Sequence, residues 1–178
     1  MKTLFGLMLA CGLTIQAAAP IPRPAPEFKI HEPSGKETLL SAQKGKVTVI
    51  QFLFTWCGHC QATAKWLSTM QSELGPKGLQ TFGVAFNDEV LTKDTAANNK
   101  LVAAFSQYAT FPVGIVTSKD PVLKFLGMSV MDAYGVPQLV VIDKRGVIRA
   151  QTPLRPGAGS IVEERVMRET VTKLLEEK

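Results

Sequence analysis

Cys57 and Cys60 are the residues of this 178-residue chain best suited to chemistry. Two cysteines separated by Gly58-His59 can open and close a disulfide within one helical turn. They follow the apolar run Phe52-Leu53-Phe54 and the pair Thr55-Trp56, and a stretch with helical spacing comes next. A strand that empties into a helix N-terminus leaves unpaired N–H groups at the junction. With the helix dipole, these favour a thiolate over a thiol at Cys57. The expected chemistry is thiol–disulfide exchange. His59, in the first helical turn, can hydrogen-bond a thiolate or, when charged, attract it. A stabilised thiolate stabilises the reduced pair, which makes the couple more oxidising.

Other readings of the pair fit less well. A bridge across two residues constrains the unfolded chain little, so it is a poor staple. Zinc would need more ligands, and as further imidazoles only His31 and His59 are available, with no second C-x-x-C. Haem attachment needs His directly after the second Cys, and Gln61 stands there. We therefore expect no metal and no organic cofactor, the redox group being the Cys57–Cys60 disulfide. The net charge of +5 is spread without a basic stripe, which argues against a nucleic-acid partner.

The elements that position the pair follow in order. Met1 to about Ala19 has the form of an export signal: Lys2, an apolar run from Leu4 to Ile15, then Ala17-Ala18-Ala19. Leu9-Ala10-Cys11-Gly12 is a weak lipobox, which keeps a lipid anchor at Cys11 open, as well as a retained signal. Each version puts the domain outside the cytoplasm, in the periplasm or cell envelope, where disulfides persist. Membrane contact is then limited to the signal or anchor. Pro20 to Pro26, with proline at nearly every second position, predicts an extended linker. The domain is expected over residues 27–178. Phe28 to His31 and Thr38 to Leu40 predict a β-hairpin around Pro33-Ser34-Gly35-Lys36.

Val47 to Phe54 is apolar almost throughout, as a central strand covered on both faces must be. A helix is predicted from Gly58 to Leu74, with Trp66, Leu67, Met70 and Leu74 on its buried stripe and Gly75-Pro76 as its stop. Leu79 to Phe86 is the next strand. Asp94 or Thr95 then caps a helix carrying Ala97, Leu101, Ala104, Phe105 and Tyr108. Val113 to Val116 is a short strand, and Asp120-Pro121 opens a brief helix that Gly127 ends. Gln138 to Ile142 and Val147 to Ala150 form a hairpin. Ser160 and Glu163 read as a capping box for a last helix. The alternation predicts an α/β fold with a mixed central sheet and helices on both faces.

With those pieces in place, the chain resembles the thioredoxin-like superfamily, and within it the exported TlpA/ResA group of thiol–disulfide oxidoreductases. The resemblance rests on Phe54-Thr55-Trp56-Cys57-Gly58-His59-Cys60, Phe111-Pro112-Val113, Tyr134-Gly135-Val136-Pro137 and Ile142-Asp143-Lys144-Arg145-Gly146. It implies that Cys57 attacks and Cys60 resolves. It implies that Pro137 is cis and faces the pair, that Val136 offers backbone hydrogen bonds to a substrate, and that Trp56 flanks the disulfide. The partners implied are protein thiols or disulfides and a redox protein that recharges the pair; the enzyme is expected to be a monomer. The chain departs from related patterns at two positions. A buried carboxylate six residues before the first Cys is replaced by Gln51, and a glutamate three after the second Cys by Thr63. A thiol-dependent peroxidase is the alternative, since the lengthened first crossover resembles that sister family. It would need a Thr two or three residues before the reactive Cys in a proline-led loop; Thr55 sits two before Cys57, but Trp56 lies between and the proline-led loop is missing. A non-catalytic binding module is the third reading, and the intact Trp-Cys-x-x-Cys argues against it.

Overall fold

The computed structural model describes residues 19–86, 95–129, 132, 134–153 and 161–177. The leader, the polar loop from Asn87 to Asp94 and Ser160 lie outside the described residues. Val47–Leu53 forms β4, and all seven of its residues are buried, as a doubly covered strand requires. It pairs in parallel with β5 (Leu79–Ala85) and antiparallel with β7 (Gln138–Ile142). The sheet extends past β5 to β6 (Val113–Ile115) and then to a hairpin of β2 (Lys29–His31) and β3 (Glu37–Leu39). Beyond β7 lie β8 (Val147–Gln151) and the two-residue β1 (Arg23–Pro24).

Helices cover both faces of this sheet, which has eight strands among the described residues. On one face, Val47, Val49 and Leu53 pack with Leu67, Met70 and Leu74 of α1 (Gly58–Leu74) and with Met167, Val171 and Leu174 of α4 (Glu164–Glu176). Val102 and Phe105 of α2 (Thr95–Phe105) join that core. On the other face, Ile50 and Phe52 meet Val122, Phe125 and Leu126 of α3 (Asp120–Leu126). Local signals account for the ends of these elements. Gly127 caps α3 at φ 67°, where a side chain would be strained. At Gly114 a Cβ would collide with Ile30 and the His31 carbonyl, so glycine lets β6 approach β2.

Several expectations need correction. The Pro20 to Pro26 segment is not a detached spacer: it bends at Ile21 and Pro22, and Arg23–Pro24 is laid along the sheet. Arg23 pairs with Ile148, Ala25 N–H donates to the Gly146 carbonyl at 2.9 Å, and the Arg23 guanidinium reaches the Phe125 carbonyl and Gln151. An edge strand tolerates proline because one side of its backbone needs no partner. Helix α2 ends at Phe105, so Tyr108 sits in the following turn. Helix α4 starts at Glu164 with Glu163 as its N-cap and no side-chain cap bond, so Glu163 is not the third residue of a capping box. Asp94 lies outside the described residues, and Thr95 is the first residue of α2.

Candidate active site

The carboxyl end of β4 delivers the chain to the reactive pair. Cys57 is the N-cap of α1, in extended backbone at φ −77° and ψ 116°. Its N–H donates to the Phe54 carbonyl at 3.1 Å, and its carbonyl accepts the Gln61 N–H at 3.0 Å. Gln61 also holds the turn from its side chain, with Nε2 donating to the Thr55 carbonyl at 3.0 Å. The Cys57 sulfur is half-buried and is a free thiol. Its S–H points at the Val136 carbonyl, 3.9 Å away. Val136-Pro137 is a cis peptide, as the resemblance implies, and Pro137 is buried. The sequence alone gave no ground for that isomer, since trans is the usual state of an X–Pro bond.

Cys60, one turn into α1, is 0% exposed and is also a free thiol. Burial, and then the hydrogen bond with the Cys57 sulfur, push its thiol well above the ordinary value. Gln51 lies beneath it on the α1 face of β4, and its Nε2 donates to the Cys60 carbonyl at 2.8 Å. The amide therefore secures the backbone of the resolving cysteine but cannot take its proton. The Gln51 Oε1 is buried without a hydrogen-bond partner among the described residues. Thr63 is buried as well. Among the described residues Asp143 is the only buried carboxylate, and it is engaged by arginines.

The raised Cys60 thiol has a consequence for stability. An unfolded chain releases this proton near the ordinary thiol value of about 8.5, while the folded chain keeps it. Stability that is fully present below that value is therefore lost as pH rises through it towards the folded value. The slope is at most about 1.4 kcal/mol per pH unit. Urea unfolding of the reduced protein between pH 8 and 10, roughly the span over which thiols ionise, should show a decline that Cys60→Ala lacks. Parallel curves for the two proteins would contradict it.

Trp56 is 58% exposed, an unusual position for an indole, and rings behind it hold it in place. Trp56 packs against Phe54 at 5.3 Å between centroids, Phe54 against Phe86 at 4.9 Å, and Phe86 against Tyr134 at 6.0 Å, each pair tilted. The series runs from the flank of Cys57 to the loop that carries Val136, so it joins the two walls of the site. The structure thus brings Trp56, Cys57, Cys60, Val136 and Pro137 together. His59 is exposed in the first turn of α1. Gly58 is exposed too, and a Cβ there would meet nothing within 4 Å, so it has no steric duty. Phe54, Phe86 and the Gln61 tether were missed in sequence. Their common signal is position at the ends of β4 and β5 and at the start of α1, which becomes informative only once Leu53 is known to pair with Ala85. His31 is a surface strand residue, with Nδ1 2.9 Å from Glu37.

A mixed sheet, a dithiol at the N-terminus of the first long helix and a cis-proline across from it make up a thioredoxin-like fold. The chain belongs to the AhpC/TSA family, whose profile matches residues 21–151. It is 27% identical over 161 residues to the thiol-disulfide oxidoreductase ResA of Geobacillus thermodenitrificans, covering 84% of this chain and 83% of that one. Its fold matches that of a thiol:disulfide interchange protein of the thioredoxin family from Chlorobium tepidum, with a TM-score of 0.65, 22% identity and coverage of 89% and 99%. The exposed lipoprotein thioredoxin of Streptococcus pneumoniae matches with a TM-score of 0.64, 22% identity and coverage of 84% and 100%. Among the described residues no helix is long and apolar enough to cross a membrane.

Proposed function

We propose that the protein is an extracytoplasmic thiol–disulfide oxidoreductase acting on protein substrates. The observation that carries this is the asymmetry of the pair: Cys57 opens to the surface between Trp56 and Val136, while Cys60 is buried behind it. The Cys57 thiolate attacks one sulfur of a substrate disulfide. The Cys57–substrate bond forms, the substrate S–S bond breaks, and the leaving sulfur takes a proton. Cys60 then gives up its proton and attacks the Cys57 sulfur, releasing the second substrate thiol. Two electrons pass to the substrate and the enzyme keeps the disulfide; the reverse sequence oxidises dithiols. A redox partner that recharges the pair sets the direction, and the cycle needs no organic cofactor. Export is supported by Lys2, the apolar run and the small residues before Pro20. The peroxidase reading has less support, because Trp56 separates Thr55 from Cys57 in the turn.

The redox potential tests this reading. His59 in the first turn of α1 favours the reduced form, so equilibration with glutathione buffers should place the couple near about −180 mV, the isomerase value, rather than near thioredoxin's roughly −270 mV. His59→Ala should lower the potential by about 30 mV, a tenfold change in the equilibrium constant. A couple at or below the thioredoxin value would reject the role of His59. A pair that never equilibrates with glutathione would reject the function.

A further inference from the structure

A cleft of about 490 Å³ opens against Trp56 and Gln61, the residues that flank the reactive pair in the chain. Trp56 and Gln61 form its near wall, and Leu101, Ala104, Phe105 and Tyr108 its far wall. None of its lining residues carries a charge. Desolvating a charged group in such a cleft would be unfavourable, whereas an apolar group gains by leaving water.

The chemistry of the pair decides what must cross this cleft. In a mixed disulfide the two Cα atoms lie about 4.4–6.8 Å apart. An extended partner chain advances about 3.3 Å per residue, so the residues one and two away from its cysteine stay within roughly 14 Å of Cys57. Trp56 adjoins Cys57 in the chain, and the Gln61 N–H is bonded to the Cys57 carbonyl. The wall that Trp56 and Gln61 give the cleft therefore lies within reach of those neighbours.

We propose that this cleft is a side-chain subsite: it takes an apolar residue, of leucine or phenylalanine size, next to or one removed from the reacting cysteine of the partner polypeptide. The proposal rests on the oxidoreductase reading above. It makes the residues of α2 and Tyr108 determinants of substrate choice that play no part in the sulfur chemistry.

The test compares two symmetric peptide disulfides, identical except for Phe or Ser flanking the cysteine, with oxidised glutathione as a third substrate. The Phe peptide should be reduced about 10- to 100-fold faster than the Ser peptide, as expected from burying one large apolar side chain. Ala104 is exposed on the far wall, and Ala104→Arg should collapse that ratio towards one. Ala103→Arg, on the exposed surface of α2 outside the cleft, should keep it. Using the ratio within each protein removes any general loss of activity. Equal rates for the two peptides, or a preference that survives Ala104→Arg, would overturn the subsite while leaving the oxidoreductase reading intact. If oxidised glutathione and both peptides stay unreduced, that reading fails and the subsite with it.

Discussion

Cys57→Ala abolishes disulfide exchange, with turnover falling on the order of a thousandfold or more, to the background of thiols in the medium. Burial decides which cysteine is indispensable. Cys60 is 0% exposed and its thiol is pushed upward by that burial, so it can neither meet a protein disulfide nor ionise readily. Only Cys57 combines access with a helix N-terminus. Cys60→Ala is inactive in turnover for a different reason. It completes the first attack and then has no sulfur to release the substrate. The two variants separate in a single-turnover assay. Cys60→Ala should form stoichiometric adduct and liberate one substrate thiol, and Cys57→Ala neither. Equal single-turnover behaviour would show that the two sulfurs are interchangeable, contrary to their geometry.

Asp143→Ala destabilises the protein by about 2–4 kcal/mol without changing the exchange rate of the folded molecule. The carboxylate is 4% exposed and organises the turn between β7 and β8. Its Oδ1 accepts the N–H groups of Arg145 and Val147 at 2.9 and 3.0 Å, and its Oδ2 accepts Arg149 at 3.0 Å. Arg149 continues to Glu177, at 2.8 and 3.1 Å, and Lys144 donates to the carbonyls of Leu175 and Glu177. The hairpin is thus fastened to the end of α4. Alanine would leave two N–H donors and part of a guanidinium unpaired, which is where the cost arises. Burial by itself would raise the Asp143 carboxyl. The hydrogen bonds from Val147, Arg149 and Arg145 outweigh it and hold the group below its ordinary value. Its contribution is therefore present above that ordinary value and is lost as pH falls through the folded one. Urea midpoints from pH 7 down to about 3, spanning the carboxylate range, should draw closer for the two proteins towards the acid end. A difference under roughly 0.5 kcal/mol at neutral pH would contradict this account, since that is the scale of surface substitutions.

The parts of the fold legible in sequence are those where a local signal and the tertiary context agree. Helix α1 runs over Gly58–Leu74 as its periodicity and the Gly75-Pro76 stop predict. Gly127 and the Asp143-to-Gly146 turn end their elements as expected. The reactive pair and its flanking Trp56 were legible because their chemistry is written in consecutive residues. What escaped depends on residues distant in sequence. Proline at every second position signals an extended segment but not the carbonyl of Phe125 that Arg23 finds 102 residues on. The spacing of Tyr108 matches a helix that has already ended, and its ring meets Phe105 at 5.6 Å from a turn instead. Gln51 could be read as a missing carboxylate. Its hold on the Cys60 carbonyl appears only when β4 and α1 are stacked. The aromatic series and the cleft have the same origin, each assembled from ends of elements that only the sheet brings together.

The most direct measurement is peptide mapping by mass spectrometry of Cys60→Ala after brief reaction with a disulfide-bonded protein under native conditions. We predict one mixed disulfide per molecule, located at Cys57 and released by added thiol. A protein that stays unmodified while the same reagent labels free thiols in solution would contradict the assignment of the more accessible sulfur, at the head of α1, as the attacking group.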